Sequence, residues 1–271
     1  MLAKTYADWD RHNAMRMGAA LAFYSILSIA PLVILTVAFI GLVYGSSHAQ
    51  EQIANQVEAL VGPEGKTAVT TMIESAHKPS SGALASIVGI CTLLFGASAV
   101  FSELRSALNQ IWDVDLTKSA GFTGLVRDRF FSFGMVLGIG FLLLVSLILS
   151  AGLAVLGKWF GGLLPMPEGV LTLINFLVPM IGIGILFALI FKYVPQARVR
   201  WRDVWIGAFT TSFLFSVGKL LIGLYLGKAG VGSAYGAAGS LIVVIVWVYY
   251  SSLIFFFGAE FTHVFATTKQ P

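Results

Sequence analysis

Residues Lys228 to Glu260 read KAGVGSAYGAAGSLIVVIVWVYYSSLIFFFGAE, with no charge between the two ends. Crossing a hydrocarbon core ~30 Å thick takes about 20 residues of helix, so the stretch holds a membrane span and a surplus. The surplus, Gly230 to Ser240, is built almost wholly of Gly, Ala and Ser. Gly232, Gly236 and Ser240 recur at small-xxx-small spacing with Gly239 beside them, and such residues let helix backbones approach closely. The same residues also fit a re-entrant segment lining a cavity, where protein or water satisfies the open backbone. The stretch closes on a single acid, Glu260.

Working outward, the whole chain repeats this character. Of its 271 residues, 57% are hydrophobic and 11% charged, against about 25% charged in soluble domains. An all-α integral membrane protein is expected, with residues 1–271 forming a single membrane domain. Apolar runs mark six transmembrane helices, at about 19–44, 83–101, 130–156, 170–191, 204–227 and 239–261. The first run is longer than the about 7–15 residues of a signal h-region, so it reads as a retained span. Pro31 and Pro179 interrupt the first and fourth spans and are expected to kink them. They open the two three-span halves, a placement that in transporters points to a binding site, although the halves share no visible sequence similarity.

Between spans one and two, residues 48–78 keep a helical period. Ile53, Val57, Leu60 and Val61 share one face, Gly62 to Gly65 make a turn, and Val69, Met72, Ile73 and Ala76 share a second face. This predicts an amphipathic helical hairpin on the outer side, serving as a lid or an interfacial rest. Twelve of the 17 Lys and Arg fall on the side that carries both termini, four on the other, and Lys219 lies inside a span. Basic residues gather on cytoplasmic loops, so both termini are expected in the cytoplasm and the location is a bacterial-type inner membrane.

Three blocks carry a family likeness: LAFYSILSIAPL (Leu21 to Leu32), RWRDVWIGA (Arg200 to Ala208) and SAYGAAGSLIVVIVWVYYSSLIFFFGAEFT (Ser233 to Thr262). They resemble the YihY/BrkB family of six-span inner-membrane proteins, and the likeness runs over essentially the whole chain. The resemblance implies a cytoplasmic-membrane location and an all-helical fold. It also brings three kinds of functional label: an older ribonuclease name, virulence or serum resistance, and the movement of lipids.

The ribonuclease label can be weighed on the residues. Metal-assisted phosphodiester cleavage needs several carboxylates or histidines converging on one or two cations. The pairs Asp8/Asp10 and Asp113/Asp115 lie in neither a Gly-rich nor a His-bearing loop, and His12, His48, His77 and His263 show no metal-ligand spacing. The single cysteine, Cys91, excludes a disulfide framework and a multi-cysteine metal site. Catalysis, a metal, a cofactor and a nucleic-acid partner are therefore not expected.

Ionisable groups in hydrocarbon are costly and usually face the bundle interior or a wet cavity. Lys219 is the clearest case, lying toward the outer part of span five. It either snorkels to the outer headgroups or joins Asn175 and Tyr235 in a site for an anionic headgroup. Glu260 and Glu103 fall near the inner ends of their spans with Arg105 close by. They read as a structural ion pair or as proton-coupling carboxylates. No G-x-x-x-x-G-K-[ST] motif occurs, so energy would come from a gradient or a partner. The expected function is transport or export of an amphiphilic, lipid-like or anionic substrate, with membrane lipids as partners and the oligomeric state open. The alternative is a non-transporting scaffold that supports envelope assembly or integrity.

Overall fold

The computed structural model describes residues 1–28, 50, 51, 53–55, 57, 58, 63–76, 83–114, 168–197, 199–229 and 239–268, with the backbone only over 83–95 and most of 168–179. The predicted third span, Pro31, Tyr235, Gly232 and Gly236 lie outside the described residues, as do the side chains of Asn175 and Pro179.

Every described element is a helix. In chain order they are α1 (Leu2–Arg11), α2 (Ala14–Ser28), α3 (Pro63–Ala76), α4 (Ala83–Ile111), α5 (Glu168–Tyr193), α6 (Trp201–Ala229) and α7 (Gly239–Thr268). α7 is rich in β-branched Val and Ile, weak helix formers in water. In hydrocarbon the backbone must satisfy its own polar groups, which favours the helix regardless. Trp201–Tyr225 of α6 and Gly239–Thr268 have mean hydropathy 1.5 and 2.3 and are long enough to cross a membrane. Ala14–Ser28 and Met180–Tyr193 are shorter apolar helices. Along α6, Phe213, Leu220, Leu221, Leu224 and Tyr225 are each more than half exposed. A continuous apolar surface of this kind suits lipid better than water.

α7 is the element the others pack around. It meets α1, α3, α4 and α6, while α5 lies against α6; Gly18 of α2 faces Leu253 and Tyr249 of α7. α2 and α4 are antiparallel: Gly96 of α4 lies against Ser28, whereas Gln110 reaches the chain at His12. The core joins Met17 and Leu21 to Leu108 and Ile111, Phe187 and Phe191, Val204 and Ala208, and Phe255 and Phe256. Phe191 and Phe255 meet at 5.2 Å, and Phe187 lies 5.8 Å from Phe215 edge-on, arrangements favoured by the ring quadrupoles.

The α6–α7 pair is held by a reciprocal interlock. Thr262 of α7 occupies the space beside Gly207 of α6, and Thr211 of α6 occupies the space beside Gly258 of α7. The two hydroxyls donate back to their own helices, Thr211 to the Gly207 carbonyl and Thr262 to the Gly258 carbonyl, each at 2.7 Å. No polar group is thereby left open at the contact. Gly-x-x-x-Thr in one helix thus meets Gly-x-x-x-Thr in the other, head to tail.

The two apolar faces expected within residues 48–78 meet: Val69 and Ile73 are buried against Ile53 and Val57. Lys66 ties the two segments, reaching Glu58 at 2.7 Å and Asn55 at 2.9 Å. The N-terminal segment forms a helix, α1. Its Leu2, Tyr6 and Trp9 follow a helical period, and the buried Thr5 adjoins this face beside Leu2 and Trp9.

Candidate functional site

One end of the bundle gathers α1, the end of α4, the link between α5 and α6 and the last turns of α7. The link is pinned from both sides. Gln196 donates its backbone N–H to Asn109 Oδ1 at 2.8 Å, and Lys192 donates to the Val199 carbonyl at 2.5 Å while lying 5.7 Å over the Trp201 ring. Arg200 bonds Asp203 at 3.0 Å in the first turn of α6, where a carboxylate suits the helix dipole.

At this end α1 stops at His12, and Asn13, with φ 56°, turns the chain into α2. Asp113 has φ 48° just past α4, where the Val114 N–H returns to the Asn109 carbonyl at 2.9 Å and closes the helix. Asn and Asp tolerate this left-handed region best among residues other than glycine. The two turns bring three helices together around one imidazole. His12 Nδ1 lies 2.5 Å from Glu260 Oε1, and its Nε2 lies 3.7 Å from Asp113 Oδ1. The Gln110 amide donates to the His12 carbonyl at 3.0 Å and fixes the corner. On the open side Arg11 reaches Asp8 at 3.3 Å and Asp113 at 4.0 Å.

Glu260 is wholly buried and His12 is 6% exposed. Removing a charge from water costs several kcal/mol unless a partner compensates it, and His12 is that partner. Compensation is incomplete: Glu260 Oε2, Trp9 Nε1, Trp112 Nε1 and His263 Nδ1 are all buried without a hydrogen-bond partner among the described residues. The His263 ring packs 5.0 Å from Trp112.

A groove of about 290 Å³ runs between α6 and α7. Val217, Gly218 and Leu221 form one wall, Tyr250, Leu253 and Ile254 the other, and Tyr6 and Trp9 of α1 also line it. The surface is almost entirely apolar. A second groove, about 390 Å³, lies on the other flank of α7 against Ala19, Phe23 and Ile26 of α2.

The residues singled out in the sequence fall as follows. Lys219 is half-buried on α6, next to Gly218 of the first groove. Glu103 and Arg105 are half-buried on α4, while the partner of Glu260 is His12. Gly239 is buried at the start of α7 with the half-buried Ser240 beside it. Pro179 lies within the continuous run of α5. His12 and Asp113 were not singled out as site residues. His12 and Glu260 are 248 positions apart, and no local spacing links them.

Among the described residues every element is a helix, and two of the helices are apolar and long enough to cross a membrane. The chain belongs to the virulence factor BrkB family, whose pattern it matches over residues 5–271. It is 28% identical over 260 residues to a UPF0761 membrane protein of Verminephrobacter eiseniae, covering 93% of this chain and 60% of the relative. A UPF0761 membrane protein of Tolumonas auensis is 28% identical over 249 residues, covering 89% of this chain and 77% of the relative. The UPF0761 membrane protein YihY of Salmonella typhimurium is 33% identical over 180 residues, covering 65% of this chain and 57% of the relative. The chain thus spans little more than half the length of the first and third of these. No solved structure matches it.

Proposed function

We propose that this protein is a six-span transporter or exporter of an amphiphilic, lipid-like or anionic substrate, set in the inner membrane with both termini in the cytoplasm. The observation that carries the reading is the apolar groove between α6 and α7 with the cation Lys219 beside it on the chain. A groove of this shape takes an alkyl chain, and Lys219, which follows Gly218 in the chain on another face of α6, is the cation for an anionic headgroup. The protein has no nucleotide-binding motif of its own, is not read as an enzyme, and draws on a gradient or a partner.

The test is reconstitution of the full chain in vesicles carrying fluorescent anionic and zwitterionic lipid analogues. Transbilayer movement of the anionic analogue should exceed that in empty vesicles and fall to background in Lys219→Met and in Val217→Trp, which fills the groove. Full activity in both variants would remove this assignment. The reading from the other class, a scaffold for envelope integrity, predicts no movement of any analogue and normal envelope function in both variants.

A further inference from the structure

We propose that the His12–Glu260 pair is a proton-binding site whose occupancy sets whether α1 stays docked on α7. The inference stands apart from the transport reading and holds whatever the protein moves.

One hydrogen between Nδ1 and Oε1 and one on Nε2 suit the three groups, whether the pair is written as imidazolium and carboxylate or as imidazole and carboxylic acid. Nδ1 and Oε1 lie 2.5 Å apart, so a single hydrogen sits between them. At the other ring nitrogen the nearest group is the Asp113 carboxylate. An imidazolium donating from Nδ1 to Glu260 and pointing Nε2–H toward Asp113 meets an acceptor on each side. If His12 releases a proton to solvent, one ring nitrogen keeps a lone pair, which must then face a carboxylate. Glu260 also keeps a buried negative charge that nothing offsets. If Glu260 instead takes up a proton, its O–H and the imidazolium N–H compete for the same space, and the ring keeps a positive charge against a neutral acid. Either change loosens the contact.

Three further observations place a working site here. Both non-glycine residues with positive φ among the described residues, Asn13 and Asp113, belong to it, and such conformations cluster where structure serves function. The second oxygen of Glu260 is buried without a hydrogen-bond partner among the described residues, so it can take up a proton or a water when the pair opens. Opening also has somewhere to go, because α1 is joined to the bundle by the turn at Asn13 and carries Tyr6 and Trp9 of the groove wall. The charged and titratable groups facing the pair are Lys4, Asp8 and Arg11 from α1, Asp113 beyond α4, and His263 from α7.

The test uses the full chain in vesicles, with Cys91→Ser and spin labels at Ala7→Cys on α1 and Thr267→Cys on α7, titrated between about pH 5 and pH 8, where imidazole changes charge. The labels should give one narrow distance over part of this range and a broader, longer one over the rest. Infrared difference spectra over the same range should show a carboxylic C=O band change. In Glu260→Gln both responses should be lost. A wild-type distance and spectrum that do not move with pH would overturn the proposal, as would a Glu260→Gln variant that moves as the wild type does. Should that variant fail to fold, His12→Asn takes its place with the same two outcomes.

Discussion

Thr262 on α7 sits in the space that a side chain on Gly207 of α6 would need. Thr211 and Gly258 repeat the relationship one turn away with the helices exchanged. Gly207→Ala and Gly258→Ala should each lower stability by about 1–3 kcal/mol, the usual cost of overpacking. Pairing Gly207→Ala with Thr262→Ala should recover part of that loss. Gly182→Ala and Gly223→Ala meet no atom within 4 Å and should instead gain about 0.5–1 kcal/mol from lower chain entropy. Unfolding midpoints in micelles measure all five.

Breaking the buried pair should cost more than altering both partners together. Glu260→Ala leaves the His12 imidazole facing a void, and loss of one buried partner typically costs about 3–5 kcal/mol. A double-mutant cycle with His12→Ala should give a coupling of about 0.5–3 kcal/mol, the range for residues in contact. Additive losses would place the two side chains apart.

The turn between α1 and α2 should discriminate by backbone alone. Asn13, at φ 56°, tolerates what alanine does not. Asn13→Ala should cost about 1–2 kcal/mol and Asn13→Gly close to nothing. Proteolysis of α1 in vesicles should rise in the alanine variant alone.

Lys219 makes no polar contact among the described residues although it is half-buried. Lys219→Met should therefore insert normally and unfold at the same midpoint or a higher one, because a charge near hydrocarbon is removed without orphaning a partner. A lowered midpoint would identify Lys219 as a structural residue.

The helices were legible in the sequence to different depths. The apolar runs near 170–191, 204–227 and 239–261 lie on the helices α5, α6 and α7, each of which is longer than its run. α1 stood out less than the apolar runs because its ten residues are polar on average, although Leu2, Tyr6 and Trp9 share a helical period. The two Gly-x-x-x-Thr sequences stand in plain view at Gly207 and Gly258. What makes them meet is the antiparallel register, which follows from side chains along the whole seam. The packing expected from the small residues at Gly232, Gly236 and Ser240 rests on the same principle, but Gly232 and Gly236 lie outside the described residues. Glu260 was legible as an acid out of place. Its partner was not, because a contact across 248 positions is a property of the bundle and not of any window.

The double interlock has a mechanical consequence. Sliding α6 along α7 by even one residue rise, about 1.5 Å, drives a threonine into the backbone of the opposite helix, and it does so in both directions. The hairpin therefore travels as one rigid lever. On the far side of α7 the fit is of another kind: Gly18 of α2 faces the flexible ends of Leu253 and Tyr249, which can swing aside. Relative displacement is therefore easier between α2 and α7 than between α6 and α7.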